Sequence, residues 1–293
     1  MPAARPASRG SARKRPGQAC RLLWPLGLLA ACAAHAQTPS PLAEWQYSAG
    51  VPLEKMFEPE TAQWGIRLGA GAIMRPMYDG ASRYHMLAGP SIDIRYRDLL
   101  FLSTGEGLGI NLVSTPHWRA GIALSYDLGR RSEDDPGHLH GLPNLNPAPE
   151  AKLFAEYVVS KSFPLVLRVN ARRTLAPDDG WTADIGAYLP LPGSSETFYW
   201  FAGPTVTLAD SRYMARRFGI DAAQAASSGY AHYSPGGGIK SAGFGVSTVY
   251  YLNKHWFATA DVALSRLLGA AANSPLAANP LGLAIDASLN YEF

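Results

Sequence analysis

Apolar and polar residues alternate with a period of two along most of the chain, and the pattern is most regular at its end. In residues 281–293 the odd positions are apolar and the even positions are small or polar. Residues two apart share one face of a β-strand. The pattern therefore predicts a strand with one apolar face, long enough to cross a bilayer at a tilt.

The same alternation recurs many times from Trp64 onward. Ile122 and Leu124, for example, share an apolar face, and Ser125 lies on the opposite face. The pattern predicts twelve strands, near residues 64–74, 86–97, 99–104, 107–113, 117–129, 150–161, 164–175, 181–190, 197–209, 237–251, 255–267 and 281–293.

Strand parity supports the count of twelve. Bacterial single-chain barrels have an even number of strands, with short turns on the periplasmic side and longer loops outside. With twelve strands, the long connections 75–85, 130–149, 210–236 and 268–280 all fall on one side. Fusing residues 99–113 into one strand gives eleven strands and places 130–149 on the side of the short turns.

A secreted, soluble β-sandwich would also alternate. The apolar faces here are continuous, however, and Trp64, Trp118, Trp181 and Trp256 stand near strand ends, as membrane girdles do. We therefore predict an all-β fold, a transmembrane antiparallel up-and-down β-barrel over residues 64–293, preceded by a periplasmic lead-in over residues 37–63.

The first 36 residues have the composition of a secretory signal peptide. Six Lys and Arg residues precede an apolar run from Leu22 to Ala34, and Ala34-His35-Ala36 is a small-residue cleavage site. Cleavage after Ala36 is expected. A competing interpretation takes Leu29-Ala30-Ala31-Cys32 as a lipobox, with Cys32 as the lipidated residue.

Removal of this segment changes the charge and the cysteine content. The 26 basic residues become 20 while the 23 acidic residues remain, so the net charge changes from +3 to −3. Nothing then favours a nucleic-acid partner. Both cysteines, Cys20 and Cys32, also leave, which excludes a disulfide scaffold and a thiol nucleophile.

The inward faces of the predicted strands carry nearly balanced charges. Because buried charges need partners, we predict a paired network in the lumen. Its members are Arg67, Asp93, Arg95, Arg119, Asp127, Lys152, Glu156, Arg168, Arg172, Asp184, Asp261 and Asp286.

The loops contain two further candidates. Residues 130–149 hold Glu133, Asp134, Asp135, His138 and His140, a set able to bind a divalent cation, although a polar extracellular loop without metal is the preferred interpretation. Asp221-Ala222-Ala223-Gln224 is a capping-box pattern and predicts a short helix over the mouth.

No catalytic constellation can be assembled from this sequence. It does not place any His beside a particular Ser, and Gly105-Glu106-Gly107-Leu108-Gly109 lacks the helix that a phosphate-binding loop requires. We expect no enzymatic activity, no catalytic residue, no metal and no cofactor.

Several short motifs stand in the loops and at the strand ends, among them Tyr78-Asp79-Gly80, Tyr126 to Arg130, Leu139 to Leu142, Arg217 to Ile220 and Tyr291-Glu292-Phe293. In their order and spacing they resemble the MipA/OmpV (MltA-interacting protein) family of outer-membrane proteins. The terminal Tyr291 and Phe293 also resemble the signal that the barrel assembly machinery recognises in such proteins.

The resemblance implies a place in the cell outer membrane of a Gram-negative bacterium, in contact with lipid and lipopolysaccharide. It further implies a scaffold that brings a murein transglycosylase together with a murein synthase. The polar, charge-balanced interior favours a second hypothesis, a small-solute outer-membrane channel.

Overall fold

The structure, a computed structural model, describes residues 63–160, 162–195 and 197–293. The predicted cleavage site at Ala36, the lipobox at Cys32 and all but the last residue of the lead-in 37–63 lie outside the described residues.

Twelve antiparallel strands form a closed barrel in which each strand pairs with its neighbours in sequence and β1 pairs with β12. The strands are β1 Trp64–Pro76, β2 Tyr84–Tyr96, β3 Leu100–Ser103, β4 Gly107–Ser114, β5 Trp118–Asp127, β6 Ala148–Val158, β7 Val166–Thr174, β8 Trp181–Pro190, β9 Phe198–Ala209, β10 Gly238–Tyr251, β11 Trp256–Leu267 and β12 Leu281–Glu292. The predicted transmembrane up-and-down barrel of twelve strands is confirmed, and the eleven-strand alternative is wrong.

Several strand ends differ from the prediction by a few residues. β6 begins at Ala148 rather than at residue 150, because Asp127 pairs with Ala148 and Tyr126 with Pro149. β5 ends at Asp127 rather than at residue 129, since the side chain of Asp127 accepts a hydrogen bond from the Gly129 backbone and turns the chain.

The two faces of the wall differ in chemistry. Outward residues such as Ile122 and Leu124 are 44% and 50% exposed, whereas inward Ser125 is 5% exposed. An outward apolar band around a polar interior is typical of transmembrane barrels. None of the helices among the described residues is long and apolar enough to span a membrane.

The interior is apolar at the end of the barrel that carries the short turns, here called the turn end. Val158, Val166, Tyr188, Phe201, Val249 and Phe257 form one buried cluster there, each at most 4% exposed. The cluster fills the lumen beside strands β6 to β11.

The opposite end, here called the loop end, is covered by a lid. The lid contains a 3-10 helix at Ser132–Asp134 and the α-helices α1 Ser211–Phe218, α2 Ala222–Ser228 and α3 Gly269–Ala272. Asp221 caps α2 by accepting from the Gln224 backbone at 2.8 Å, so the predicted mouth helix is confirmed.

Two apolar clusters fix the lid over the mouth. Met214 and Phe218 of α1 pack with Leu267 of β11 and Ala271 of α3. The second cluster joins three loops through Leu139, Leu142, Ile220 and Leu276.

Candidate functional site

A buried ion cluster lies in the lumen near the turn end, centred on Glu106. The turn between β3 and β4 points this carboxylate inward, where it is 1% exposed. Arg95 Nη2 donates to it at 2.6 Å, and Arg119 Nη1 lies 3.4 Å and Arg168 Nη2 3.7 Å away. Three guanidinium groups therefore surround one carboxylate.

Two arms extend this cluster across the barrel. Asp93 binds both Arg67 and Arg95 at 3.0 Å. On the other side, Glu156 lies 3.4 Å from Arg119 and 3.3 Å from Arg168. These contacts join β1, β2, β5, β6 and β7 through alternating charges.

Two aromatic rings support the same cations. Phe101 and Phe154 meet edge to face at 5.8 Å, and the Arg119 guanidinium lies 5.3 Å from one ring centroid and 5.4 Å from the other. Lys152 Nζ lies 5.6 Å from the Phe154 ring. Gly109 permits this packing, because a Cβ there would come within 2.2 Å of the Phe101 ring.

A second ion cluster lies under the lid and ties α1 to the wall. Arg217 of α1 forms ion pairs with Asp127 and, at 3.5 Å, with Asp179. Arg172 pairs with Asp184 and lies 3.9 Å from Glu150. The lid is therefore held by charge as well as by apolar packing.

A cavity of 280 Å³ lies between the lid and this second cluster. Its lining mixes apolar residues with charged ones, among them Arg130, Arg172, Asp184, Arg217 and Lys240. Lys240 reaches the β1–β2 loop, where its Nζ lies 2.8 Å from Asp79. The nearby Lys240 lowers the pKa of the Asp79 carboxyl.

Arg130 differs from the other cavity cations. It is 8% exposed, donates to the backbone oxygen of Arg217 at 2.9 Å and lies 5.7 Å from the Tyr78 ring. No carboxylate of the described residues forms an ion pair with it. Burial lowers its pKa to about 10.

Asp261 and Asp286 stand apart from both ion clusters. They are register partners on β11 and β12, 0% and 9% exposed, with Ser247 next to Asp261 on β10. Asp261 forms no ion pair with a described residue. The cation partner predicted for Asp261 is not found among the described residues, and Asp286 occupies the neighbouring inward position.

The acidic and histidine residues of the 130–149 loop contact different partners. Asp135 accepts from the Tyr78 hydroxyl at 3.2 Å and lies 3.2 Å from His138, while Glu133 pairs with Arg131. Burial, followed by the nearby Asp135 carboxylate, raises the pKa of Tyr78 well above its ordinary value. The described residues contain no group of three or more potential ligands that could hold a metal.

Aromatic rings surround the turn end of the barrel. Trp64 packs on Tyr96 at 4.7 Å, Trp118 on Tyr157 at 4.6 Å and Trp256 on Tyr291 at 5.2 Å. The predicted assembly-signal residues Tyr291 and Phe293 belong to this belt, with their rings 4.8 Å apart.

Comparison with known families gives one match, to the family described as MltA-interacting protein MipA, over residues 68–293. The chain belongs to the MipA family. The resemblance found in the loops and strand ends is thereby confirmed, and the matched region covers nearly the whole of this MipA-family barrel. No curated protein matches the chain.

Several solved outer-membrane proteins are similar to this MipA-family chain at low identity. The Pseudomonas putida toluene transporter TodX is 11% identical, with a TM-score of 0.39, and the match covers 88% of this chain and 97% of TodX. Neisserial surface protein A is 8% identical, with a TM-score of 0.26 and coverage of 79% and 98%. The Escherichia coli protease OmpT is 14% identical, with a TM-score of 0.30 and coverage of 80% and 99%. At these TM-scores none of these proteins supports a transfer of function.

Several charged groups of this MipA-family barrel were not predicted from the sequence. Glu106 lies in a Gly-rich turn without alternation, and Arg217 lies on a helix of the lid. Glu150 follows the inward parity of Lys152 and could have been found by extending the alternation two residues.

Proposed function

We propose that this protein is an outer-membrane scaffold that binds murein-processing enzymes at its turn end. The family description, MltA-interacting protein, supports a murein transglycosylase as one partner. In this proposal a murein synthase is the second partner, and the barrel holds the two enzymes beside each other.

The filled lumen is the observation that supports a scaffold best. Near the turn end the Glu106 cluster and the apolar cluster around Phe201 and Phe257 occupy the interior with buried side chains. A barrel filled at this level offers its outer surfaces to partners rather than a passage to solutes.

The turns at this end supply a surface for such partners. Phe163 and Leu252 are apolar residues at turn tips and are 51% and 55% exposed. In bacterial barrels the short turns face the periplasm, where murein enzymes work. Exposed apolar residues at an aqueous surface are common at protein interfaces.

A pull-down with paired variants tests the scaffold. Phe163→Glu together with Leu252→Glu should abolish co-purification of the murein transglycosylase. The matched change at the loop end, Leu175→Glu, should leave it intact, since Leu175 is also 53% exposed. Equal retention of the enzyme by both variants, or no retention by the wild type, would contradict the proposal.

The cavity favours a second candidate function, a small-solute channel, because it is a space of 280 Å³ lined in part by charged residues. Single-channel recording separates the two functions. The scaffold predicts a silent barrel. Defined conductance steps that change on substitution of Arg168 or Arg172, with no murein enzyme retained, would favour the channel.

A further inference from the structure

The β3–β4 hairpin is much shorter than the strands on either side of it. β2 runs from Tyr84 to Tyr96 but pairs with β3 only over Asp93–Tyr96. β5 pairs with β4 only as far as Leu124. On the loop-end side of the hairpin, β2 and β5 face each other across three strand spacings, roughly 14 Å. No pairing joins β2 to β5 in the described residues. This interruption of the wall is here called the side opening.

The β2 edge of the side opening presents backbone polar groups. Ile92 bonds toward the hairpin, since its N–H donates to Thr104 Oγ1 and its carbonyl accepts from Thr104 N. Alternate residues point the same way, so Ala88 and Met86 direct their N–H and C=O groups into the opening. Pro90 has no N–H, and its carbonyl accepts from Thr104 Oγ1 at 3.2 Å.

The side opening combines apolar surroundings with polar edges. Met86 is 72% exposed and Leu124 is 50% exposed, as residues of a lipid-facing wall are. Backbone groups facing hydrocarbon without partners are costly. A molecule with an apolar chain and polar atoms can contact the apolar side chains here and also form hydrogen bonds with the backbone groups.

Tyr126 partly fills the side opening. It shares the outward parity of Ile122 and Leu124 but is only partly exposed, because its hydroxyl donates to the Thr104 carbonyl at 3.3 Å. The ring therefore lies between the β5 edge and the hairpin, and its removal would widen the opening.

Two residues next to the side opening line the cavity under the lid. Asp127, which follows Tyr126, lines that cavity, as does Arg75, the register partner of His85 on β2. Arg130 lies in the same lining as a buried guanidinium that forms no ion pair with a carboxylate of the described residues. A volume of 280 Å³ is at the lower limit for ligand pockets and suits a small head group.

We propose that the side opening admits an anionic acyl lipid from the membrane, with its charged head bound to Arg130 and its chain held between β2 and β5. The anionic head supplies a negative charge beside the buried Arg130 guanidinium. The acyl chain remains against Met86 and Leu124. This proposal does not rest on the scaffold function, and the two are tested by separate measurements.

Binding of cis-parinaric acid, a fluorescent long-chain carboxylate, to the purified barrel in phosphatidylcholine nanodiscs tests the site. The wild type should bind one equivalent saturably. Arg130→Gln should weaken binding at least about tenfold, because a charge-assisted hydrogen bond is lost. Arg131→Gln is the matched control, since Arg131 is 65% exposed and pairs with Glu133, and it should leave the affinity unchanged.

The entry rate of the same probe tests the route. Tyr126→Ala should accelerate binding several-fold, and Tyr126→Phe less, because the ring remains. Tyr250→Ala is the matched control, an outward tyrosine on a fully paired strand that is 52% exposed. Heat-modifiable gel mobility establishes that each variant is folded.

Three outcomes would overturn the proposal: no saturable binding by the wild type, equal affinities of the Arg130 and Arg131 variants, or equal entry rates of the Tyr126 and Tyr250 variants. A dimer joined through the β2 edges, detected by light scattering and by cross-linking at Ala88→Cys, would also overturn it. In that case a second copy of the chain, not a lipid, would occupy the side opening.

Discussion

At the scale of single residues, the lumen contains buried charged side chains, and each of them depends on its partners for compensation of its charge. Glu106 is the carboxylate that Arg95, Arg119 and Arg168 share. Replacing a whole buried ion cluster by apolar residues can leave the stability unchanged. Removing one partner is costly, because the remaining charges stay buried without compensation.

Glu106→Gln should therefore lower the free energy of unfolding by about 3 to 5 kcal/mol. Urea unfolding of the barrel in detergent, followed by tryptophan fluorescence, measures the change. Glu292→Gln is the control, because Glu292 lies at the rim, where it is 24% exposed and pairs with Arg67. A cost of at most about 1 kcal/mol is expected there. Equal costs at both positions would show that Glu106 does not organise the cluster.

The lid should loosen in alkaline solution through Tyr78. Its pKa is raised in the folded state by burial and by Asp135, so the stability it contributes is complete below its ordinary value of about 10 and is lost as the pH rises above that value. Limited proteolysis of residues 130–147 at increasing pH measures lid docking.

Tyr78→Phe should remove this component of the alkaline sensitivity, because the variant has no proton to lose. An unchanged dependence on pH in the variant would assign the loosening to other groups.

The sequence located most of the inward charges but not their partners. Alternation placed Arg119 and Glu156 on inward faces, yet their contact joins residues 37 apart and depends on strand register. Glu106 and Arg217 could not be located by alternation, because one lies in a turn and the other on a helix. The lid cluster of Arg217, Asp127 and Asp179 is therefore a product of tertiary packing.

At the scale of the element, each strand separates lipid from lumen by parity. Ile122 and Leu124 face outward at mid-strand, and Ala123 faces the aromatic cluster of Phe101 and Phe154. The strong alternation made the long strands predictable. The β3–β4 hairpin was harder to predict, because its strands are short and its turn is the tripeptide Thr104-Gly105-Glu106 rather than a long loop.

Ile122→Arg should cost about 2 to 4 kcal/mol, because a cation near the middle of the bilayer loses its hydration. Leu252→Arg is the depth control: Leu252 is an equally apolar residue in a turn, and the same change should cost about 0 to 1 kcal/mol near the interface. Unfolding of both variants in lipid vesicles tests this difference, and equal costs would contradict the assigned faces.

At the scale of the whole molecule, the lumen is obstructed twice. The lid covers the loop end through the clusters of Met214 and Leu276. Tyr188, Phe201 and Phe257 fill the turn end beside the Glu106 cluster. Removal of one obstruction leaves the other in place.

A variant in which a short Gly-Ser linker replaces residues 212–235 should therefore remain silent in single-channel recording. Adding Phe201→Ala and Phe257→Ala to that variant should produce conductance, because large aromatic side chains are removed from the remaining obstruction. Ion steps from the lid deletion alone would show that the turn end does not close the lumen.

The pairing of β1 with β12 fixes the order in which the barrel can form. Arg67 pairs with Glu292, so the contacts that close the wall join residues 225 positions apart. Contacts of such long sequence separation form slowly, since the whole intervening chain must be ordered first. Until Phe293 donates its N–H to the Ile66 carbonyl, two strand edges stay open to other chains, and a folding factor that shields both edges would protect the nascent barrel from aggregation.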